Sequence, residues 1–341
     1  MNGTSASRNN SDESEMGCSL LFREESAKLR NTDVESLLFP VEMVNVFFRL
    51  PDGSTRYVDT HKAVVNMLDG MALGVVSNAY RLVTNHEALV FAEKCAMQLF
   101  GVESNKIEVF NVHSPRRPWY CQVDMVHKGY EVNIGKQEVY LPFLRVTNSY
   151  NGSRALRFDI GYCRKLCSNG MIFEKDSIKF RFPHSHSSIG AEIDFRIAEG
   201  QLKSLHSRLA SDLDRLYGYS IPESMHIPFF FKALELPVAG WEEALPPRRR
   251  AYIADLVQNA RAFTTEYREQ FGPNAYALLN AATDFASNPP QIKDLRTSVH
   301  SLQTRAGTWC GEFVAELMDG EKAFNIMDYL GEYAQMAGWR N

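Results

Sequence analysis

The hydrophobic pattern of this chain changes period sharply at Pro183. From about Lys106 to Phe182 apolar residues recur at every second position, the spacing of antiparallel strands with one covered face. Trp119, Cys121, Val123 and Met125 alternate with Tyr120, Gln122 and Asp124. Leu156, Phe158, Ile160 and Tyr162 point one way, with Arg157, Asp159 and Lys165 opposite them. Phe180 and Phe182 repeat this against Lys179 and Arg181. Val139 to Val146 is apolar on both faces, as a central strand is. After Pro183 the period lengthens. Ile189, Ile193, Ile197, Leu202, Leu205, Leu209, Leu213 and Leu216 form a helical stripe and predict one long helix over 188–218.

Shorter signals fill in the rest. Val41 to Leu50 is rich in β-formers and stops at Pro51-Asp52-Gly53, so Arg56 to Asp59 is expected to return as a hairpin strand. Tyr80 to Thr84 reads as a short strand, and Asn85 as the N-cap of a helix that Gly101 ends. Beyond the long helix, helical segments are expected at about 248–270, 274–287, 293–303 and 307–336, divided by Gly272-Pro273, Pro289-Pro290 and Gly320. The fold class is therefore α+β: an antiparallel sheet in the N-terminal half, then a long helix and a helical C-terminal half packed on it. Three regions follow: a poorly ordered acidic tail over 1–36, a strand-rich part over 37–186, and a helical part over 187–341 that continues the same domain.

Composition narrows the function classes. Hydrophobic residues at 45% and charged residues at 23% exclude a wholly disordered or fibrous chain. A formal net charge of −4 excludes a protein that wraps nucleic acid with its whole surface, so any such surface must be local. No apolar run approaches the roughly 18 residues of a membrane span, and the polar start MNGTSASRNNSDESE has no signal-peptide pattern. Six scattered cysteines do not make a disulfide scaffold. A cytoplasmic protein with reduced thiols is expected, without a cofactor.

The candidate chemistry is basic and local. Between Leu141 and Phe182 there are eight basic residues against three acidic ones, in a chain of net charge −4. Alternation puts Arg157, Lys165, Lys179 and Arg181 opposite the apolar face, and Arg145 and Arg154 lie close in sequence. Such a stripe suits phosphate backbones, and Tyr150 and Tyr162 are near enough in sequence to stack bases. Cys163, Cys167, His184 and His186 invite a zinc reading, but four residues along a strand span roughly 13 Å, too far to share one ion. No G-x-S-x-G, H-E-x-x-H, P-loop or dinucleotide fingerprint occurs, and Cys167, His184 and His186 are the only catalytic candidates for an unseen motif. Two turns stand out. One runs through Asn148, Ser149, Asn151 and Gly152, the other through Cys167, Asn169 and Gly170, at opposite ends of one strand pair.

These turns carry a resemblance. FLRVTNSYNG (Phe143 to Gly152), RKLCSNG (Arg164 to Gly170) and the histidine motif at Pro183-His184-Ser185-His186 resemble a bacterial family of phage- and plasmid-like proteins of unknown function. Tyr80 to Asn85 and Asn274 to Phe285 are similar to two further elements of that family, so the resemblance spans roughly 75–335. Asn151 stands where the family commonly has aspartate. The resemblance implies carriage on a mobile element, in the company of replication and recombination genes; separately, a sheet with a basic face followed by a long helix is loosely similar to single-strand annealing proteins. The expectation is a nucleic-acid-binding accessory protein, more a binder than an enzyme, favouring single-stranded DNA. The alternative is a non-enzymatic interaction protein acting on a host system, as a counter-defence factor does. A host protein and a second copy of the chain are the other partners left open.

Overall fold

The computed structural model describes residues 34–101, 107–114, 118–127, 129–134, 138–165, 169–172, 179–184, 195–238, 245–292, 295, 297–319 and 323–338. Two antiparallel sheets come first. The smaller has three strands in sequence order: β1 (Val41–Arg49), β2 (Thr55–Asn66) and β3 (Ala72–Ser77). The larger contains β4 (Ile107–His113), β5 (Tyr120–His127), β6 (Val132–Ile134), β7 (Glu138–Ser149), β8 (Leu156–Arg164), β9 (Gly170–Ile172) and β10 (Lys179–Phe182). Its order is β10-β8-β7-β5-β4, with β6 beside the start of β7 and β9 beside the end of β8.

Between the two sheets in chain order comes α1 (Asn85–Phe100), which packs on the large sheet. Its N-cap is Thr84, one residue earlier than the sequence suggests. The Thr84 hydroxyl accepts from Glu87 N, and the Glu87 carboxylate accepts from Thr84 N, closing a capping box. Gly101 ends the helix at φ 64°, a left-handed position that favours glycine. The helical half follows: α2 (Phe195–Gly218), α3 (His226–Ala233), α4 (Pro247–Phe271), α5 (Ala275–Ser287), α6 (Val299–Met318) and α7 (Ile326–Leu330).

The periodicities explain the packing. Cys121, Val123, Met125, Leu144, Val146, Leu156, Phe158, Ile160 and Tyr162 turn the same sheet face into one core with α1 and the stripe Leu202, Leu205, Leu209, Leu213 and Leu216 of α2. The same core takes in α3 to α6, so sheet and helices share one apolar interior. A separate cluster around Phe39, Val64, Val76, Tyr80 and Tyr150 joins the small sheet to the β7–β8 turn. There Asn151 sits so close to Gly74 that a Cβ on Gly74 would lie 2.5 Å from it.

Four expectations need correction. Tyr80 to Thr84 is not a strand: its apolar side chains bury on an irregular backbone, and β3 precedes it. The break expected near residues 303–307 is absent, because α6 runs continuously from Val299 to Met318. Its Gly307 lies where the Ile172 carbonyl of β9 would be 2.2 Å from a Cβ, so helix and strand approach closely only at glycine. The segment HIPFFFKA forms α3, although so short an apolar run carries no readable period. The last expected helix, at 307–336, is divided into α6, α7 and a 3-10 turn at Gly331–Gly338. Of the acidic tail, residues 1–33 lie outside the described residues; Leu37, the first residue past it, is buried in the main core. Among the described residues no helix is long and apolar enough to cross a membrane.

Candidate functional site

The face of the large sheet turned away from the main core carries a small apolar cluster of Val126, Leu141, Phe143, Cys163 and Ile172 at one end, and beyond it the strand register orders polar residues into two rows. The first runs Asn111 (β4), Asp124 (β5), Arg145 (β7), Asp159 (β8) and Lys179 (β10), each the cross-strand partner of the next. The second runs His113, Gln122, Thr147, Arg157 and Arg181 over the same strands. Each row crosses the sheet at right angles to the strands, and the rows are two residues apart.

The first row alternates in charge and is buried in its middle. Arg145 is fully buried, and its guanidinium makes a two-pronged pair with Asp124: Nε to Oδ1 and Nη2 to Oδ2, both 2.6 Å. Its Nη1 reaches His300 Nδ1 at the start of α6, at 3.5 Å. Arg145 is thus a structural cation and not part of an exposed stripe. A charge in that position is kept only because a fork of hydrogen bonds compensates its desolvation.

The second row opens to solvent at its β8–β10 end and contains no carboxylate. Arg157 faces Arg181 directly, on the last strand pair of the sheet order. Arg157 reaches sideways to Asp159 of the first row at 2.6 Å, its side chain 32% exposed. Arg181 is exposed and holds no carboxylate among the described residues. Next to this row the Arg154 guanidinium lies 4.7 Å from the ring centre of Tyr120. Tyr120 shares a 2.9 Å hydrogen bond with His113 Nε2. Burial, then the positive charges of Arg145 and Arg154, holds the His113 imidazole below its ordinary range, so it stays neutral. Burial likewise raises the Tyr120 phenol. Among the described residues this margin presents cations and no activated nucleophile.

Of the expected basic residues the structure sets Arg157 against Arg181 on β8 and β10, while the Arg154 guanidinium lies over Tyr120 of β5, across β7 from that pair. Lys179 takes the register position opposite Asp159, and only its backbone is described. Lys165 stands apart, past the far end of β8, paired with Glu131. Tyr150 and Tyr162 are fully buried and cannot stack a base. Asp124, His113 and Tyr120 were not singled out from sequence. Alternation puts Asp124 on the polar side of β5, but only the register reveals that Arg145 faces it.

The turn motifs are clamps. Asn148 Nδ2 donates to Val83 O at 2.9 Å and to Asn85 Oδ1 at 3.0 Å. The Asn85 amide donates to Leu37 O, and Asn85 N donates to the Tyr150 hydroxyl. The Tyr80 hydroxyl donates to Ser149 O at 2.6 Å, and Ser149 Oγ donates to Arg154 O across the turn. Gly152 supplies the turn's φ of 70°. The His184 ring stacks on Tyr80 at 4.7 Å and donates from Nδ1 to Arg81 O. At the other end of the strand pair, Asn169 Nδ2 donates to the Tyr267 hydroxyl, which donates to Asp284 Oδ2. Gly170 N donates to Ser287 Oγ. Both turns thus fasten the sheet, one to α1 and the other to α4 and α5.

Cys167 and His186 lie outside the described residues. Cys163 is buried with its thiol 3.6 Å from Leu141 O. Burial pushes the Cys95 and Cys121 thiols up to about 12, far from a reactive thiolate. Among the described residues no three His, Cys, Asp or Glu side chains are grouped to hold a metal ion.

Comparison with known proteins gives a family and no activity. The model of the DUF932 family, a domain of unknown function, matches residues 72–306, more than half of the 341-residue chain. No curated protein and no solved structure matches the chain. The chain belongs to the DUF932 family.

Proposed function

We propose that this member of the DUF932 family is a non-enzymatic nucleic-acid-binding protein, an accessory factor of a phage or plasmid that favours single-stranded DNA in replication or recombination. One observation carries the reading: the second polar row has no acidic member and ends in Arg157 and Arg181 facing each other. Like charges directly opposite on paired strands destabilise a sheet. Asp159 offsets only Arg157, a bound polyanion would neutralise Arg181 as well, and Arg154 supplies a further guanidinium over Tyr120. Phosphate is the anion that a set of arginine forks suits best. The neighbouring buried row is internally neutral and adds no net charge to this surface.

The test is titration of an oligothymidylate at several salt concentrations. Wild-type binding is expected to weaken with salt in proportion to the phosphates contacted. Arg154→Ala with Arg181→Ala should flatten the slope of log K against log salt by roughly 1.4, at about 0.7 per contact on single strands. Both guanidiniums lack a carboxylate partner among the described residues, so the fold survives their loss. Absence of binding at low salt, or an unchanged slope in the double variant, removes the reading.

A further inference from the structure

The small sheet extends beyond its own third strand. β3 pairs with β2 only from His61 to Val65, while Thr55 to Val58 of β2 pair with β1 alone. Residues from Val46 to Val58 therefore form a two-stranded arm with both faces open. At its base the register jumps between Asn45 and Val46, a bulge in β2 that turns the arm relative to the sheet. The tip is well built: Leu50 N donates to Ser54 O, Asp52 accepts from Ser54 N, and Gly53 takes a φ of 82°.

The arm's side chains do not suit free solvent. Phe47 is 62% exposed, Phe48 49% and Tyr57 70%. Phe47 and Tyr57 are cross-strand partners with ring centres 6.2 Å apart. Phe48 stands on the other face, directly opposite Arg56, and Arg49 follows it. A bare two-stranded hairpin is marginal in water, and three exposed aromatic rings add nothing to it unless something covers them.

We infer that this arm is a stacking platform for the unpaired bases of a single-stranded nucleic acid. The inference rests on the nucleic-acid reading of the sheet margin and deepens it by naming what takes the bases. The charge pattern favours this occupant. Asp52, the arm's one acidic residue, is committed to the turn, while Arg49 and Arg56 hold no carboxylate among the described residues. Elsewhere Arg164, Arg268 and Arg305 are each paired with a glutamate. Aromatic faces flanked by unneutralised guanidiniums are what a single strand needs, stacking for its bases and cations for its phosphates. A duplex hides its base faces. A second copy would set the same net-positive arm against itself.

The experiment uses the full chain and an oligothymidylate of about 20 nucleotides, longer than the roughly 4–16 that one binding fold covers. Phe47→Ala with Tyr57→Ala is expected to weaken binding roughly ten- to a hundred-fold while leaving the salt slope nearly intact. In a separate variant, Tyr57→Trp, added strand should quench the new indole emission beyond the wild-type change. Circular dichroism checks that both variants remain folded. If wild type binds and the alanine variant binds equally well, the arm inference falls and the sheet-margin reading stands. If wild type binds no oligonucleotide at low salt, both fall. If sedimentation shows a self-associated wild type that the alanine variant dissolves, with strand binding unchanged, the arm holds a second copy and the inference is overturned.

Discussion

Two rows of the same sheet face, two residues apart, treat their charges in opposite ways. In the row through Asp124, Arg145, Asp159 and Lys179 every cation has an anion for its cross-strand neighbour. In the row through Gln122, Thr147, Arg157 and Arg181 the only ionised members are cations, and they face each other. The first arrangement is what a buried position tolerates. The second is destabilising by itself; here Asp159 of the first row neutralises Arg157 from the side, and solvent screens the exposed Arg181. Arginine content alone does not mark a binding surface; the residue across the strand decides it.

The largest effect is expected from breaking the buried row. Arg145→Ala leaves Asp124 without its forked partner and should cost about 3–5 kcal/mol of stability, read as a lower midpoint in urea unfolding. A loss below about 1 kcal/mol would mean that the pair is not buried as described. Arg145→Lys keeps the charge but loses the planar fork, so roughly 1–3 kcal/mol is expected in the same assay.

A smaller effect tests His113, the titratable member of the open row. Burial and two neighbouring guanidiniums favour its neutral form in the folded state. The unfolded chain then binds the proton more readily, so stability is complete above the ordinary histidine value of about 6.5 and declines as pH falls below it. The ring is partly exposed, so solvent screening keeps this contribution below about 1 kcal/mol. His113→Gln should flatten the pH dependence of the urea midpoint between neutral pH and the acid limb; an unchanged profile would place the dependence elsewhere. Least is expected from Arg181→Ala, whose stability should stay within about 0.5 kcal/mol of wild type while oligonucleotide binding becomes less salt-sensitive. A stable protein with unaltered salt dependence would erase the distinction between the rows.

Much of this architecture was legible from periodicity. The alternation at Leu156 to Tyr162 assigned the correct side chains to the core, and the helical stripe at Leu202 to Leu216 found its face. Pairing was not legible. Arg145 reads as one more strand arginine until the register sets Asp124 beside it. Tyr80, Leu82 and Val83 look like a strand because apolar density does not distinguish a ladder from a buried irregular segment. Asn85 suits a cap by its chemistry, but in the fold Thr84 does so, which frees Asn85 to bind Leu37 and Asn148. The aromatic residues of the arm were read only as β-formers, since nothing local says that β3 stops short of them.

The clamps also bear on how the chain reaches its native state. The Tyr140 hydroxyl meets that of Tyr276, and Asn169 meets Tyr267, partners 136 and 98 residues apart in sequence. Gly307 receives the Ile172 carbonyl across a similar interval. Strands synthesised early therefore wait for helices synthesised late. Such non-local closure makes folding slow, and in a growing chain it leaves strand edges open until α6 has emerged. The same long-range contacts make the sheet a reporter of the whole: a chain cut before Val299 would lack the helix that β9 packs on. Its apolar strands would then be prone to pair between molecules instead of within one.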